Sequence, residues 1–137
     1  MRTVFADTGY WVALLNSYDE LHDKAIELSK SLDPIHIVTS EMVLTEVLND
    51  FSKRGDYLRQ AATKLIDRIQ ENSNITVVSQ TSQQFKQGLE LSKNRLDKNW
   101  SLTDCVSFKI MEEMGIYEAP AYDKHFEQAG YKALLRN

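Results

Sequence analysis

The chain has 137 residues, 42% apolar and 26% charged, the proportions of one ordinary globular domain with a sizeable core. Its formal charge of −4 excludes the whole-molecule attraction that draws strongly basic proteins to nucleic acid. No apolar run approaches the roughly 18 residues that span a bilayer, and a single cysteine, Cys105, excludes an intrachain disulfide. The N-terminus lacks the basic-then-apolar layout of a secretory signal, because Asp7 interrupts it. With one unpaired thiol, that leads us to expect a cytoplasmic protein.

In chain order, Thr3-Val4-Phe5-Ala6 is too short for a helix and reads as a buried strand ending at Asp7. Gly9 then opens a helical stretch through Trp11, Leu14 and Leu15 that stops near Asn16-Ser17. A second helix is expected over Glu20 to Leu32, with Leu21, Ala25, Leu28 and Leu32 at helical spacing, ended by Asp33-Pro34. Ile35-His36-Ile37-Val38 is the next strand. Thr39 or Ser40 can cap the following helix, Ser40 to Lys53, whose apolar stripe is Val43, Leu44, Val47, Leu48 and Phe51.

Gly55-Asp56 separates that helix from one over Tyr57 to Gln70, and Asn72-Ser73-Asn74 turns the chain into the strand Ile75-Thr76-Val77-Val78. Ser82 is expected to cap a helix through Phe85, Leu89 and Leu91. The next helix opens near Asp104, carries Val106, Ile110 and Met114 on one face and closes at Gly115. Ile116 to Tyr122 predicts a short strand made irregular by Pro120, a helical turn follows Asp123, and Tyr131 to Leu134 can add a last strand. Strands alternating with helices, without hairpin signals, predict a single α/β domain over 1–137. Its central, mainly parallel sheet would have four to five short strands with helices on both faces.

In such sheets ligands bind beyond the carboxyl ends of the strands. Four acids stand at or near element ends: Asp7, Glu46, Asp104 and Asp123. Carboxylates that converge from separate segments suit hard divalent cations and phosphate-ester chemistry. Each also has a plainer role. Asp7 can cap the helix after it, Ser101-Leu102-Thr103-Asp104 matches a capping box, and Asp123 can cap the turn before Lys124-His125-Phe126. Glu46 points away from its helix's apolar stripe, as a solvated residue would. Periodicity alone therefore licenses the acids' positions, not their convergence.

His22 and His125 have no His or Cys at zinc-like spacing and read as lone imidazoles, while Cys105 reads as core packing. Lys53-Arg54 and Lys93-Asn94-Arg95 are basic clusters that could touch a phosphate backbone but read first as solvated helix ends. No glycine-rich phosphate loop and no nucleophile elbow occur.

Four segments taken in order resemble the PIN-domain ribonucleases, and within them the VapC-type toxins of bacterial toxin–antitoxin pairs. They are Phe5-Ala6-Asp7-Thr8-Gly9-Tyr10-Trp11, Thr39 to Val47, Ser101 to Phe108, and Tyr122 to Tyr131. The resemblance implies that Asp7, Glu46, Asp104 and Asp123 form an acidic metal-binding and catalytic quartet for Mg²⁺ or Mn²⁺, with Thr8 and Thr103 orienting carboxylates or water. It implies hydrolysis of RNA to 5′-phosphate and 3′-hydroxyl ends, a small antitoxin partner and a homodimer. Alternatives are an inactive PIN-like module that binds RNA or protein, and a housekeeping RNA-processing nuclease. Two departures from the family pattern are Gly9, where many relatives have serine, and Ala121-Tyr122 before the last acid. Trp11, Tyr18, Tyr57 and Trp100 are candidate core or interface residues.

Overall fold

The computed structural model describes residues 2–31 and 35–136. Strand β1 (Arg2–Phe5) leads into α1 (Thr8–Leu15) and α2 (His22–Ser31), then β2 (Ile35–Ser40), α3 (Glu41–Phe51) and α4 (Asp56–Glu71). Strand β3 (Ile75–Val78) precedes α5 (Ser82–Asn94) and α6 (Leu102–Met114), and the chain finishes with β4 (Glu118–Ala119), α7 (Lys124–Gln128) and β5 (Lys132–Ala133). The expected helix end at Leu32 and its stop at Asp33-Pro34 lie outside the described residues.

Among the described residues the five strands pair in parallel but fall into two sheets. One has the order β1-β2-β3, with Val4 opposite Ile37 and Val38 opposite Thr76. The other pairs β4 with β5, matching Glu118 to Lys132 and Ala119 to Ala133. The expected strand over Ile116 to Tyr122 shrinks to two residues because Pro120 has no amide to donate to a ladder.

A buried relay fixes where β1 ends. The Thr39 hydroxyl donates to the Ala6 carbonyl at 2.9 Å and accepts from Trp11 Nε1 at 3.2 Å. The Ala6 amide donates to the Val38 carbonyl at 2.8 Å. The end of β1, the end of β2 and helix α1 are thus tied together next to Asp7. Tyr10, Trp11, Val12 and Ala13 are all buried, so α1 sits inside the core rather than on it.

Caps set the helix starts. The Ser40 hydroxyl accepts from the Val43 amide at 3.1 Å and starts α3. Helix α5 is capped by Thr81 rather than the expected Ser82: a capping box with Gln84 satisfies two amides there, and Ser82 falls one residue inside. Helix α6 ends at Gly115, whose φ of 67° is the left-handed geometry that glycine adopts without strain.

Helices α5 and α6 pack very closely at Gly88. A Cβ there would lie 2.6 Å from Val106 Cγ2 and 3.3 Å from the Val106 amide nitrogen. Neither atom belongs to a freely rotating side chain, since Val106 is β-branched and buried. Alanine in a helix interior ordinarily stabilises by about 1 kcal/mol over glycine. Gly88→Ala should reverse that sign and destabilise by about 1–3 kcal/mol, as overpacking does. Urea denaturation of the two proteins checks this, and a variant as stable as the parent would show that α6 can shift.

Candidate active site

The four acids come from four different elements and meet at one cleft of about 300 Å³. Asp7, Thr8 and Gly9 supply one wall from the β1–α1 junction. Glu46 comes from α3, Ser101 and Asp104 from the start of α6, and Tyr122, Asp123 and His125 from the segment entering α7. Leu21 closes the side. No lysine or arginine lines the cleft among the described residues.

Asp7 occupies the N-cap position of α1, yet its side chain makes no capping hydrogen bond. Capping therefore does not explain this buried acid, which is only 8% exposed. Burial pushes its carboxyl up to about 7, and the neighbouring charges of Asp104, Glu46 and Asp123 add to the effect.

Asp104 does fill the capping box read from the sequence. Its Oδ2 accepts from the Ser101 amide at 3.1 Å while the Ser101 hydroxyl accepts from the Asp104 amide at 3.0 Å. The same Oδ2 lies 2.9 Å from His125 Nδ1. Burial raises the Asp104 carboxyl above its ordinary value, opposed by the Ser101 amide and His125. Asp123 likewise caps its helix, its Oδ1 accepting from the His125 amide at 3.0 Å. Its side chain is 44% exposed at the mouth of the cleft.

Glu46, which helical periodicity assigns to solvent, is half-buried and accepts from the Thr8 hydroxyl at 2.8 Å. Thr8 thus orients a carboxylate as the resemblance implies. Thr103 is buried beside Asp104, but its hydroxyl bonds none of the four acids among the described residues. Cys105 is fully buried, and its thiol is pushed up by burial and by Asp104, so core packing describes it.

His125 corrects the expectation of a lone imidazole. It lines the cleft, and one ligand atom each from His125, Asp104 and Asp123 lie within 4.8 Å of one another. The available signal was its place two residues after an acid at a helix start. His22, by contrast, binds the Ala13 carbonyl through Nδ1 at 2.7 Å, and His36 meets the Thr76 hydroxyl. Of the aromatic candidates, Trp11 is core, Trp100 is half-buried against Phe108, and Tyr18 and Tyr57 are exposed. The basic clusters follow the plainer reading: Arg54 pairs with Asp50 and Arg95 with Asp97.

The donor set fits a divalent cation. Four carboxylates face one space with a single imidazole and no Lys or Arg to balance them. Burial raises the Asp7 carboxyl first, and these acidic neighbours raise it further. Oxygen donors of this kind suit hard ions such as Mg²⁺ and Mn²⁺.

The PIN domain model matches residues 4–131 of the chain. The chain is 30% identical over 128 residues to the 23S rRNA-specific endonuclease VapC20 of two Mycobacterium tuberculosis strains, covering 93% of this chain and 95% of each relative. The crystal structure of M. tuberculosis VapC20, described as a sarcin–ricin loop cleaving toxin, superposes with a TM-score of 0.84 over 93% of this chain and 95% of that one. The family match spans the β1–α1 junction, α3, α6 and α7, the elements that build the cleft. The chain belongs to the PIN-domain family.

Proposed function

We propose that this protein is a metal-dependent endoribonuclease, the toxin of a toxin–antitoxin pair, and that Asp7, Glu46, Asp104 and Asp123 are its catalytic and metal-binding residues. The observation that carries the reading is the meeting of these four carboxylates in one cleft that no Lys or Arg lines among the described residues. The family match and the VapC20 relatives support the same reaction class. RNA is the substrate, and large-subunit ribosomal RNA is the first to try, given what the relatives cleave. Mg²⁺ or Mn²⁺ is the cofactor, and a cognate antitoxin and a second copy of the chain are the partners. The protein's place of action on RNA would be the cytoplasm; no helix among the described residues is long and apolar enough to cross a membrane.

A divalent cation bound here would make water more nucleophilic and stabilise charge gathering on the scissile phosphate. Asp7, Asp104 and Glu46 would hold it, with Asp123 completing the site from the mouth. The chain's own task is positioning. The Thr8 hydroxyl holds one oxygen of Glu46, the Ser101 amide holds one oxygen of Asp104, and the His125 amide holds one oxygen of Asp123. Each carboxylate is left with a free oxygen and a fixed plane, which lowers the reorganisation needed when RNA arrives. Unstacked, single-stranded loops give the access that such a cleft requires.

The test is cleavage of end-labelled RNA by the full chain with Mn²⁺, with EDTA, and by Asp104→Asn. The Asn variant keeps an acceptor for the Ser101 amide, so it should fold while losing cleavage by at least about 100-fold. EDTA should abolish cleavage by the parent. Cleavage that persists in EDTA would overturn the metal-dependent reading, and cleavage undiminished in Asp104→Asn would overturn the assignment of the site.

A further inference from the structure

His125 joins two acids from different elements. Its Nδ1 lies 2.9 Å from Asp104 Oδ2, on α6, and 3.2 Å from Asp123 Oδ1, ahead of α7. A carboxylate only accepts, so Nδ1 carries the proton and donates it to Asp104 Oδ2, while Asp123 Oδ1 is held by the backbone amide of His125 itself. Those are the same oxygens already engaged by backbone amides, Oδ2 of Asp104 by Ser101 and Oδ1 of Asp123 by His125 itself. Asp104 Oδ1 and Asp123 Oδ2 accept no hydrogen bond among the described residues. The imidazole side chain is 18% exposed and Asp123's is 44%. Of the two, the ring is the better-held partner, packed in the cleft against Asp104.

Building on the proposed metal-dependent nuclease site, we infer that His125 is a positioning residue that locks Asp104 and Asp123 into one geometry. Its ring engages one oxygen of Asp104 and its backbone amide one oxygen of Asp123, leaving the other oxygen of each for the cation. Metal ligands are commonly oriented by such outer partners, and removing one typically lowers metal affinity 10- to 100-fold. Nδ1 is not a ligand, because its proton is committed to Asp104, and hard ions prefer the carboxylate oxygens to the remaining ring nitrogen, Nε2. His125 also explains how Asp123, on an exposed segment, is held in place for the site at all.

The experiment measures Mn²⁺ affinity by calorimetry on the full chain, its His125→Phe, His125→Asn and His125→Gln variants, and Asp7→Asn. Asparagine places a donor where Nδ1 stands, whereas glutamine places it where Nε2 stands. Phe and Gln should weaken Mn²⁺ by roughly 10- to 100-fold, and Asn should restore binding to near the parent. Cleavage should fall through kcat with KM for RNA unchanged in the Phe and Gln variants. The electron spin echo of bound Mn²⁺ should show no directly coordinated nitrogen in the parent. Parent-like affinity in His125→Gln, or a directly coordinated nitrogen, would overturn the positioning role, and Gln covers the case of a Phe variant that does not fold. If Asp7→Asn also binds Mn²⁺ like the parent, the failure lies instead with the reading of the site.

Discussion

Asp7→Asn is expected to abolish RNA cleavage and, at the same time, to make the metal-free protein more stable. The two effects share one origin. Asp7 is buried, uncapped and surrounded by three other acids, so its charge is unfavourable unless a cation accompanies it. Asparagine has nearly the same shape and removes the charge. Cleavage should drop by on the order of 10²–10³-fold or more, the loss seen when a preorganised electrostatic group is removed from an active site. Stability near pH 8 should rise by about 1–3 kcal/mol, because the buried charge of Asp7 is removed while the cost of burying a polar amide remains. Single-turnover cleavage and chemical denaturation in EDTA measure the two halves. A variant that is inactive but less stable than the parent would mean that Asp7 supports the fold as well as the chemistry.

Divalent cations should stabilise the protein strongly above neutral pH and weakly in mild acid. The folded Asp7 carboxyl titrates at about 7, against an ordinary 3.8. Below about pH 4 it is protonated whether the chain is folded or not and contributes no pH dependence. Between about pH 4 and 7 the unfolded chain has released this proton and the folded chain retains it. The unfolded state then binds fewer protons, so the metal-free protein loses stability as pH rises through this window. The complete loss, from Asp7 alone, is at most about 4 kcal/mol. Asp104 shifts in the same direction. A cation competes with the same protons, so its affinity grows with pH until Asp7 is ionised. At a hundredfold excess over Kd, Mn²⁺ should raise Tm by about 10 °C near pH 8 and much less near pH 5.5. Melting curves with and without Mn²⁺ at the two pH values are the check. Equal shifts at both, or none at either, would contradict a site built around Asp7.

The sequence carried the fold well wherever the signal was local. The apolar run Ile75–Val78 became β3 with the expected bounds, and Gly115 ended α6 in the left-handed geometry that its position required. The capping box of Ser101 and Asp104 formed as read. Local reading slipped where two adjacent residues could serve equally, as with Thr81 and Ser82, and where Pro120 cut a strand short. The site was legible only through family resemblance, because its acids meet across four elements and periodicity sees one element at a time. Glu46 shows why. Its helical angle points it off the stripe, and only the Thr8 hydroxyl, 38 residues earlier, gives that direction a purpose. His125 read as a lone imidazole for the same reason, since its partner Asp104 lies 21 residues away.

The caps at two of the four acids divide the ways in which this gene can be silenced. Asp104 and Asp123 each cap a helix through a side-chain oxygen, whereas Asp7 makes no capping hydrogen bond and Glu46 is held by the Thr8 hydroxyl. On the proposed site, alleles that change Asp104 or Asp123 to a residue without an acceptor should lose a helix cap together with the chemistry, leaving a product more exposed to proteolysis. If Asp7 has the proposed role, alleles at Asp7 should leave a folded, inert copy that competes with the active one for any shared binding partner. In a cell carrying both, the first kind behaves as a simple loss and the second as an antagonist.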